Sequence, residues 1–230
     1  MILKNGLFFA FFTIVAEAAR FEVINNCQFT VWAASYAPAA PASGKRLGQG
    51  ETWTLIANPG TSMGRIWGRT NCSFDASGRR GRCETGDCNG VLECNSHGEA
   101  PNTLAEYTLG GESRDVGSLD SIDISLVDGF NLPLEFGSSS SQCSQVIRCA
   151  GNIIGECPTE LNMKNACNGP CAVFKTDEYC CTPRSNTCQP TTYSKFFKRR
   201  CPYTYSYPQD DTSATFTCPA GTNYTVIFCP

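Results

Sequence analysis

Sulfur dominates the side chains of this sequence that could do chemistry. Sixteen cysteines share 230 residues with a single histidine, His97. An even cysteine count at this density points to eight disulfides formed in an oxidising compartment. The alternative is zinc, which usually recruits histidines or Cys-x-x-Cys pairs. The tightest pair here, Cys180 and Cys181, is adjacent and poorly disposed for joint ligation. No metal and no cofactor are expected. A Ser-His-Asp triad would have to use His97, which lies in a glycine-rich, cysteine-flanked segment with no nucleophile elbow nearby. A cysteine nucleophile is excluded if every thiol is paired. Of two N-x-Ser/Thr sequons, Asn71-Cys-Ser carries a cysteine at its centre, which leaves Asn223-Tyr-Thr as the better glycosylation acceptor.

The start of the chain reads as a secretory leader. Lys4 supplies a positive end, Leu7 to Val15 an apolar run, and Ala16-Glu17-Ala18 a small-x-small cleavage site. Residues 1–18 are therefore expected to be removed. The run is too short to span a bilayer and no second one follows, so no stable membrane anchor is expected. Net charge is −3 and the isoelectric point about 5.3, which argues against nucleic acid as a partner. The basic run Lys198-Arg199-Arg200 reads as a solvated helix end.

The elements that must position any site are mostly strands. Phe21 and Val23, then Phe29, Val31 and Ala33, alternate with less buried positions, the mark of half-buried strands. Trp53 to Ala57 and Ile66 to Thr70 read as further short strands, and Thr215 to Cys218 and Asn223 to Cys229 as two closing ones. Ser121 to Val127, the dipeptide Asp128-Gly129 and Phe130 to Phe136 predict a hairpin with a φ > 0 turn, and Pro133 predicts that its second strand lies at an edge. The stretch 70–101 is rich in Gly, Arg and Cys and poor in apolar residues, so it is expected as stapled loops. The stretch 150–201 is expected as a small cysteine-rich lobe with short helices near Asn168 to Phe174 and Ser194 to Arg200. The remaining segments, 19–69, 102–149 and 202–230, supply the β core.

Several motifs in order resemble the thaumatin-like (osmotin-type) family of defence proteins. They are Phe29-Thr-Val-Trp-Ala-Ala, Trp67-Gly-Arg-Thr-Asn-Cys72, Cys83-Glu-Thr-Gly-Asp-Cys88, Asn102-Thr-Leu-Ala-Glu-Tyr107, Asp123-Ile-Ser-Leu-Val-Asp-Gly-Phe-Asn131, Tyr179-Cys-Cys181, Phe196-Phe-Lys198 and Tyr205-Ser-Tyr-Pro-Gln-Asp-Asp211. The resemblance runs from Ala19 to Pro230. It implies a mainly β fold: a flattened β-sandwich core, a small disulfide-rich helical lobe and a stapled loop region. It also implies the pairing, which spacing alone leaves open among on the order of a hundred connectivities for eight cysteines. The implied bridges are Cys27–Cys229, Cys72–Cys83, Cys88–Cys94, Cys143–Cys218, Cys149–Cys201, Cys157–Cys167, Cys171–Cys180 and Cys181–Cys188. The chain departs from the family pattern at Gly78 to Cys83, in an Ala/Pro-rich loop from Ser35 to Ser43, and at Tyr203.

The same resemblance places Arg65, Glu106, Asp123, Asp128 and Asp210 around an acidic cleft. Two carboxyls flanking a glycosidic bond can hydrolyse it, one as acid and the other as nucleophile or base. Glu106 is expected as the acid and Asp123 as its partner. The bland alternative is an acidic face that binds sugar, or only water, without turnover. The expected function is that of a secreted, monomeric plant defence protein of the apoplast, the vacuole being the lesser alternative. Its cleft would bind β-1,3-glucan or another fungal wall polysaccharide. A weak endo-β-1,3-glucanase, and an inhibitor of a pathogen xylanase, amylase or protease acting through the Ser35 to Ser43 loop, are the competing readings. Tyr205 and Tyr207 are candidates for stacking on sugar.

Overall fold

The computed structural model describes residues 18–38, 40–111, 118–141, 143–182 and 188–230. The expected leader, apart from Ala18, lies outside the described residues. Strand β1 (Ala19–Asn25) alternates buried and open positions, so Phe21 and Val23 point inward. Strands β2 (Val31–Tyr36) and β3 (Ser43–Leu47) pair as an antiparallel hairpin. The expected Ser35 to Ser43 loop is correspondingly shorter, because Ser35 and Tyr36 still belong to β2. Strand β4 (Thr52–Ala57) returns to β1, and β5 (Gly64–Arg69) lies along β2. A two-stranded ribbon, β6 (Ser73–Phe74) and β7 (Gly81–Arg82), is the regular structure of the 70–101 stretch.

Next come β8 (Leu104–Thr108), β9 (Leu119–Ser125), β10 (Gly129–Phe130), β11 (Leu134–Ser138) and β12 (Val146–Cys149). The cysteine-rich stretch holds β13 (Asn162–Met163), β14 (Ala166–Asn168), α1 (Pro170–Phe174), α2 (Asp177–Cys180) and α3 (Thr192–Arg200). Helix α4 (Asp211–Ala214), β15 (Phe216–Pro219) and β16 (Tyr224–Phe228) complete the order.

Two sheets face each other. One has the order β12-β11-β16-β1-β4 and the other β15-β9-β8-β5-β2-β3. Their inner faces share one core, in which Phe21 of β1 meets Tyr107 of β8 at a ring-centroid distance of 4.5 Å and Tyr224 of β16 at 5.1 Å. Each such buried side chain contributes about 1.5–3 kcal/mol. A Cβ on Gly68 would meet Leu132 at 2.8 Å and Val31 at 2.9 Å, so the bare backbone there lets the sheets close.

Two expectations are corrected. The segment around Asp128-Gly129 is not a hairpin. Strand β9 pairs with β8 and β15, β10 with β14, and β11 with β12 and β16, so the chain crosses from one sheet to the other through this turn. Gly129 sits at φ 101°, and a Cβ there would meet the Cys167 carbonyl at 2.4 Å. The glycine therefore serves a close approach to β14. Strand β11 is interior to its sheet, and Pro133 precedes it with its carbonyl accepting from the Cys229 N–H at 2.9 Å.

Seven of the eight expected disulfides are formed: Cys27–Cys229, Cys72–Cys83, Cys143–Cys218, Cys149–Cys201, Cys157–Cys167, Cys171–Cys180 and Cys181–Cys188. The eighth, Cys88–Cys94, is not closed. Both are buried neighbouring thiols. Backbone pairing of Cys94 with Ser43 and the contact of the Cys88 sulfur with the Ser96 carbonyl at 3.6 Å hold them side by side.

Candidate functional site

Three adjacent strands, β5, β8 and β9, build the site. Register places Arg65 opposite Glu106, and Glu106 opposite Asp123. Alternation sends Ile66, Ala105, Tyr107, Ile122 and Ile124 into the core, so the charged row lies on the opposite face. Directly opposed residues on antiparallel strands have Cβ atoms about 5 Å apart, close enough for two carboxyls to act on one group. The row lines a cleft of about 460 Å³, whose wall also includes Met63, Ser125, Asp128, Tyr205 and Asp211.

The remaining residues arrive from turns. Asp128 follows β9 in the turn closed by the Gly129 N–H to Leu126 carbonyl bond, 2.9 Å. Tyr205 is tied to the end of β9 by two backbone bonds, Tyr205 N–H to Ile124 carbonyl and Leu126 N–H to Tyr205 carbonyl, both 2.8 Å. Its hydroxyl donates to Asp211 Oδ1 at 2.6 Å. Behind the site, the stapled loops are fastened to the sheet by buried residues. Trp67 Nε1 donates to the Gly86 carbonyl at 2.8 Å. The buried Arg69 guanidinium donates to the carbonyls of Trp32, Val91, Leu92 and Ala33 at 3.0, 2.7, 2.6 and 3.3 Å.

Four of the five expected cleft residues come together. Arg65 Nε lies 2.9 Å from Glu106 Oε1, and Arg65 Nη1 lies 4.0 Å from Asp128 Oδ2. Asp123 completes the row, and its Oδ1 is buried without a hydrogen-bond partner. Asp210 turns away instead. Its Oδ2 accepts from the Ser206 N–H at 3.0 Å and hydroxyl at 2.8 Å, and pairs with Lys198 Nζ at 2.9 Å. Its neighbour Asp211 lines the cleft. The sequence shows two consecutive aspartates, and only the placement of Ser206 and Lys198 decides between them.

Burial and like charge dominate the electrostatics. Asp123 is pushed up to about 8, first by burial, then by the nearby Glu106 charge, with Arg65 opposing and Asp211 adding. Burial also raises Glu106, against the pull of Arg65, and raises Asp128. Since Glu106 holds the closest cation, the proton at neutral pH rests on Asp123. The donor and acceptor roles are therefore the reverse of those expected from the sequence. His97 was set aside as a triad member, and it stands near this rim, packed edge-on against Tyr36 at 4.7 Å. Burial, then Arg65, lowers its pKa against the opposing Asp128 charge, which favours the neutral imidazole.

The sequon residue Asn223 is half-buried, with Oδ1 accepting from the Arg20 N–H at 2.9 Å. Tyr207, the other stacking candidate, lies with Asp210 and Lys198 in a separate concavity.

A model of the Thaumatin family matches residues 25–230. A thaumatin-like protein of Actinidia deliciosa is 54% identical over 224 residues, 97% of this chain and 95% of the relative. An alpha-amylase/trypsin inhibitor of Zea mays is 53% identical over 214 residues, 92% of this chain and 100% of the relative. Among solved structures, a thaumatin-like xylanase inhibitor superposes with TM-score 0.53 at 24% identity, over 91% of this chain and 99% of that one.

Proposed function

Because the chain belongs to the thaumatin family, we propose that it is a secreted defence protein whose acidic cleft holds a neutral β-1,3-glucan-type polysaccharide of a fungal wall. The observation that carries this reading is the protonation pattern. Asp123 offers an O–H donor beside the acceptors Glu106, Asp128 and Asp211 in one open groove. Alternating donors and acceptors suit sugar hydroxyls. Tyr205 adds an aromatic surface, and half-exposed apolar groups such as Met63 border it.

A second reading, weak endo-glucanase activity, rests on the raised carboxyl pair. Asp123 would donate its proton to the glycosidic oxygen as the C1–O bond breaks. Ionised Glu106 would attack C1, or take a proton from the water that does, and the proton would return to the pair in the next half-reaction. A third reading, inhibition of a foreign hydrolase, is supported by the relative named as an alpha-amylase/trypsin inhibitor. The Ala/Pro-rich turn between β2 and β3 and the exposed Ile56 would form its contact surface, since they line a common concavity of about 420 Å³.

One experiment separates the three. The protein is mixed with insoluble β-1,3-glucan, and bound fraction and soluble reducing ends are both measured, beside Glu106→Gln and Asp123→Asn. Binding without sugar release supports the lead reading. Release that disappears in both variants supports hydrolysis. No retention on glucan removes both, and inhibition of added α-amylase, trypsin or xylanase then decides the third.

A further inference from the structure

A second concavity, of about 550 Å³, shares no lining residue with the acidic cleft. It opens where the start of β2, the end of β5, the stapled loops and the cysteine-rich stretch meet, the kind of junction where ligand sites form. Its apolar side carries Phe29, which is 50% exposed, and the half-buried Trp32, with Ile154 beyond them. Single exposed aromatics are ordinary. Two in one groove, facing a fixed polar array, are not accounted for by the core.

That array is built around Glu84. One carboxylate oxygen accepts from Asn71 Nδ2 at 2.9 Å and the other from Asn165 Nδ2 at 2.7 Å. These bonds, Asn71 first, hold the Glu84 carboxyl below its ordinary range, so it stays ionised. Each amide keeps one N–H and its carbonyl oxygen for another partner. Asn71 has φ 49°, a left-handed conformation that asparagine tolerates, which fixes where its side chain starts.

The chemistry narrows the occupant. Glu84 is the sole charged side chain among the lining residues, so an anionic ligand would meet repulsion with no cation to offset it. A wholly apolar ligand would leave the two amides and the carboxylate covered and unpaired, at about 1–3 kcal/mol each. A neutral ring with one C–H face and a rim of hydroxyls satisfies both sides. We propose that this groove is a second saccharide site, in which a hexose of a neutral oligosaccharide lies on Phe29 and Trp32 while its hydroxyls meet Asn71, Glu84 and Asn165. The site does not depend on what the acidic cleft does.

The three tryptophans, Trp32, Trp53 and Trp67, permit a local test, since none lines the acidic cleft. The protein is labelled with 5-fluorotryptophan, the Trp32 resonance is assigned with Trp32→Phe, and laminarihexaose, cellohexaose and xylohexaose are titrated separately to millimolar concentration. The Trp32 signal is expected to move saturably with at least one of them, while Trp53 and Trp67 stay in place. Asn165→Ala combined with Asn71→Gly, the glycine chosen to accept the positive φ, is expected to weaken that titration about tenfold without moving the unfolding midpoint. Asp123→Asn is expected to leave it unchanged. A Trp32 resonance that ignores all three sugars, or one that titrates equally in the double asparagine variant, overturns the proposal. Loss of glucan retention with the Trp32 titration intact would remove the cleft reading alone.

Discussion

Replacing Asp123 with asparagine tests the electrostatics of the cleft without altering its shape. Burial and the Glu106 charge lift this carboxyl from an ordinary 3.8 to about 8. Between those values the folded protein binds more protons than the unfolded chain. The associated stability is fully present below the unfolded value and is lost as pH rises through the folded one. A rise of about four on the pH scale, at about 1.4 kcal/mol each, sets a ceiling of about 5–6 kcal/mol. Water reaching the open cleft screens part of this, leaving about 2–4 kcal/mol. Arg65, Glu106, Asp128, Asp211 and His97 also act on the region, so the informative quantity is a double difference. Guanidinium unfolding, with disulfides intact, would be measured at about pH 4 and about pH 9 for both proteins. The wild type should lose about 2–4 kcal/mol more than Asp123→Asn over that span. A double difference below about 0.5 kcal/mol would mean that Asp123 is already ionised at neutral pH. The cleft would then have no carboxyl proton to offer either a sugar hydroxyl or a glycosidic oxygen.

Other perturbations follow from the same contacts. Arg69→Lys cannot reproduce four carbonyl contacts from one guanidinium; it should lower stability by about 2–4 kcal/mol and speed proteolysis within 70–101, measured by denaturation and mass mapping. Asp210→Ala leaves the half-buried Lys198 without its carboxylate; it should cost about 2 kcal/mol of stability and leave glucan retention unchanged. Asp211→Ala should do the opposite, weakening retention with little change in unfolding. Removing the Cys27–Cys229 bridge, which closes a sequence separation of 202 residues, should lower stability by about 3–5 kcal/mol in denaturant titrations.

Faces were legible in the sequence, and neighbours were not. Period-two alternation at Phe21, Val23, Ile122 and Ile124 marks what points inward, because burial acts on each strand separately. It does not say which strand lies alongside. The Asp128-Gly129 dipeptide fits a tight hairpin locally, yet β9 and β11 belong to different sheets, and the glycine answers to a close approach by β14. The row Arg65, Glu106 and Asp123 follows from the register of three strands distant in sequence, so only resemblance to a family could assemble it beforehand. Asp210 and Asp211 are equivalent by type, and their opposite directions depend on Ser206 and on Lys198 at the end of α3. The groove around Glu84 draws Asn71, Asn165 and Trp32 from three separated segments, and no local pattern announces it.

The parallel pairing of β1 with β16 has a consequence for synthesis. One edge of β1 is covered early by β4, but the other waits for a strand made about two hundred residues later. At about 5–20 residues per second that wait lasts about 10–40 s. Throughout it, an edge rich in unpaired backbone groups stands open to other nascent chains, and Cys27 must pass over every cysteine that emerges before Cys229. Secretory-pathway isomerases and chaperones therefore have a defined task in this molecule: to keep its first strand unpartnered on one side until its last strand arrives.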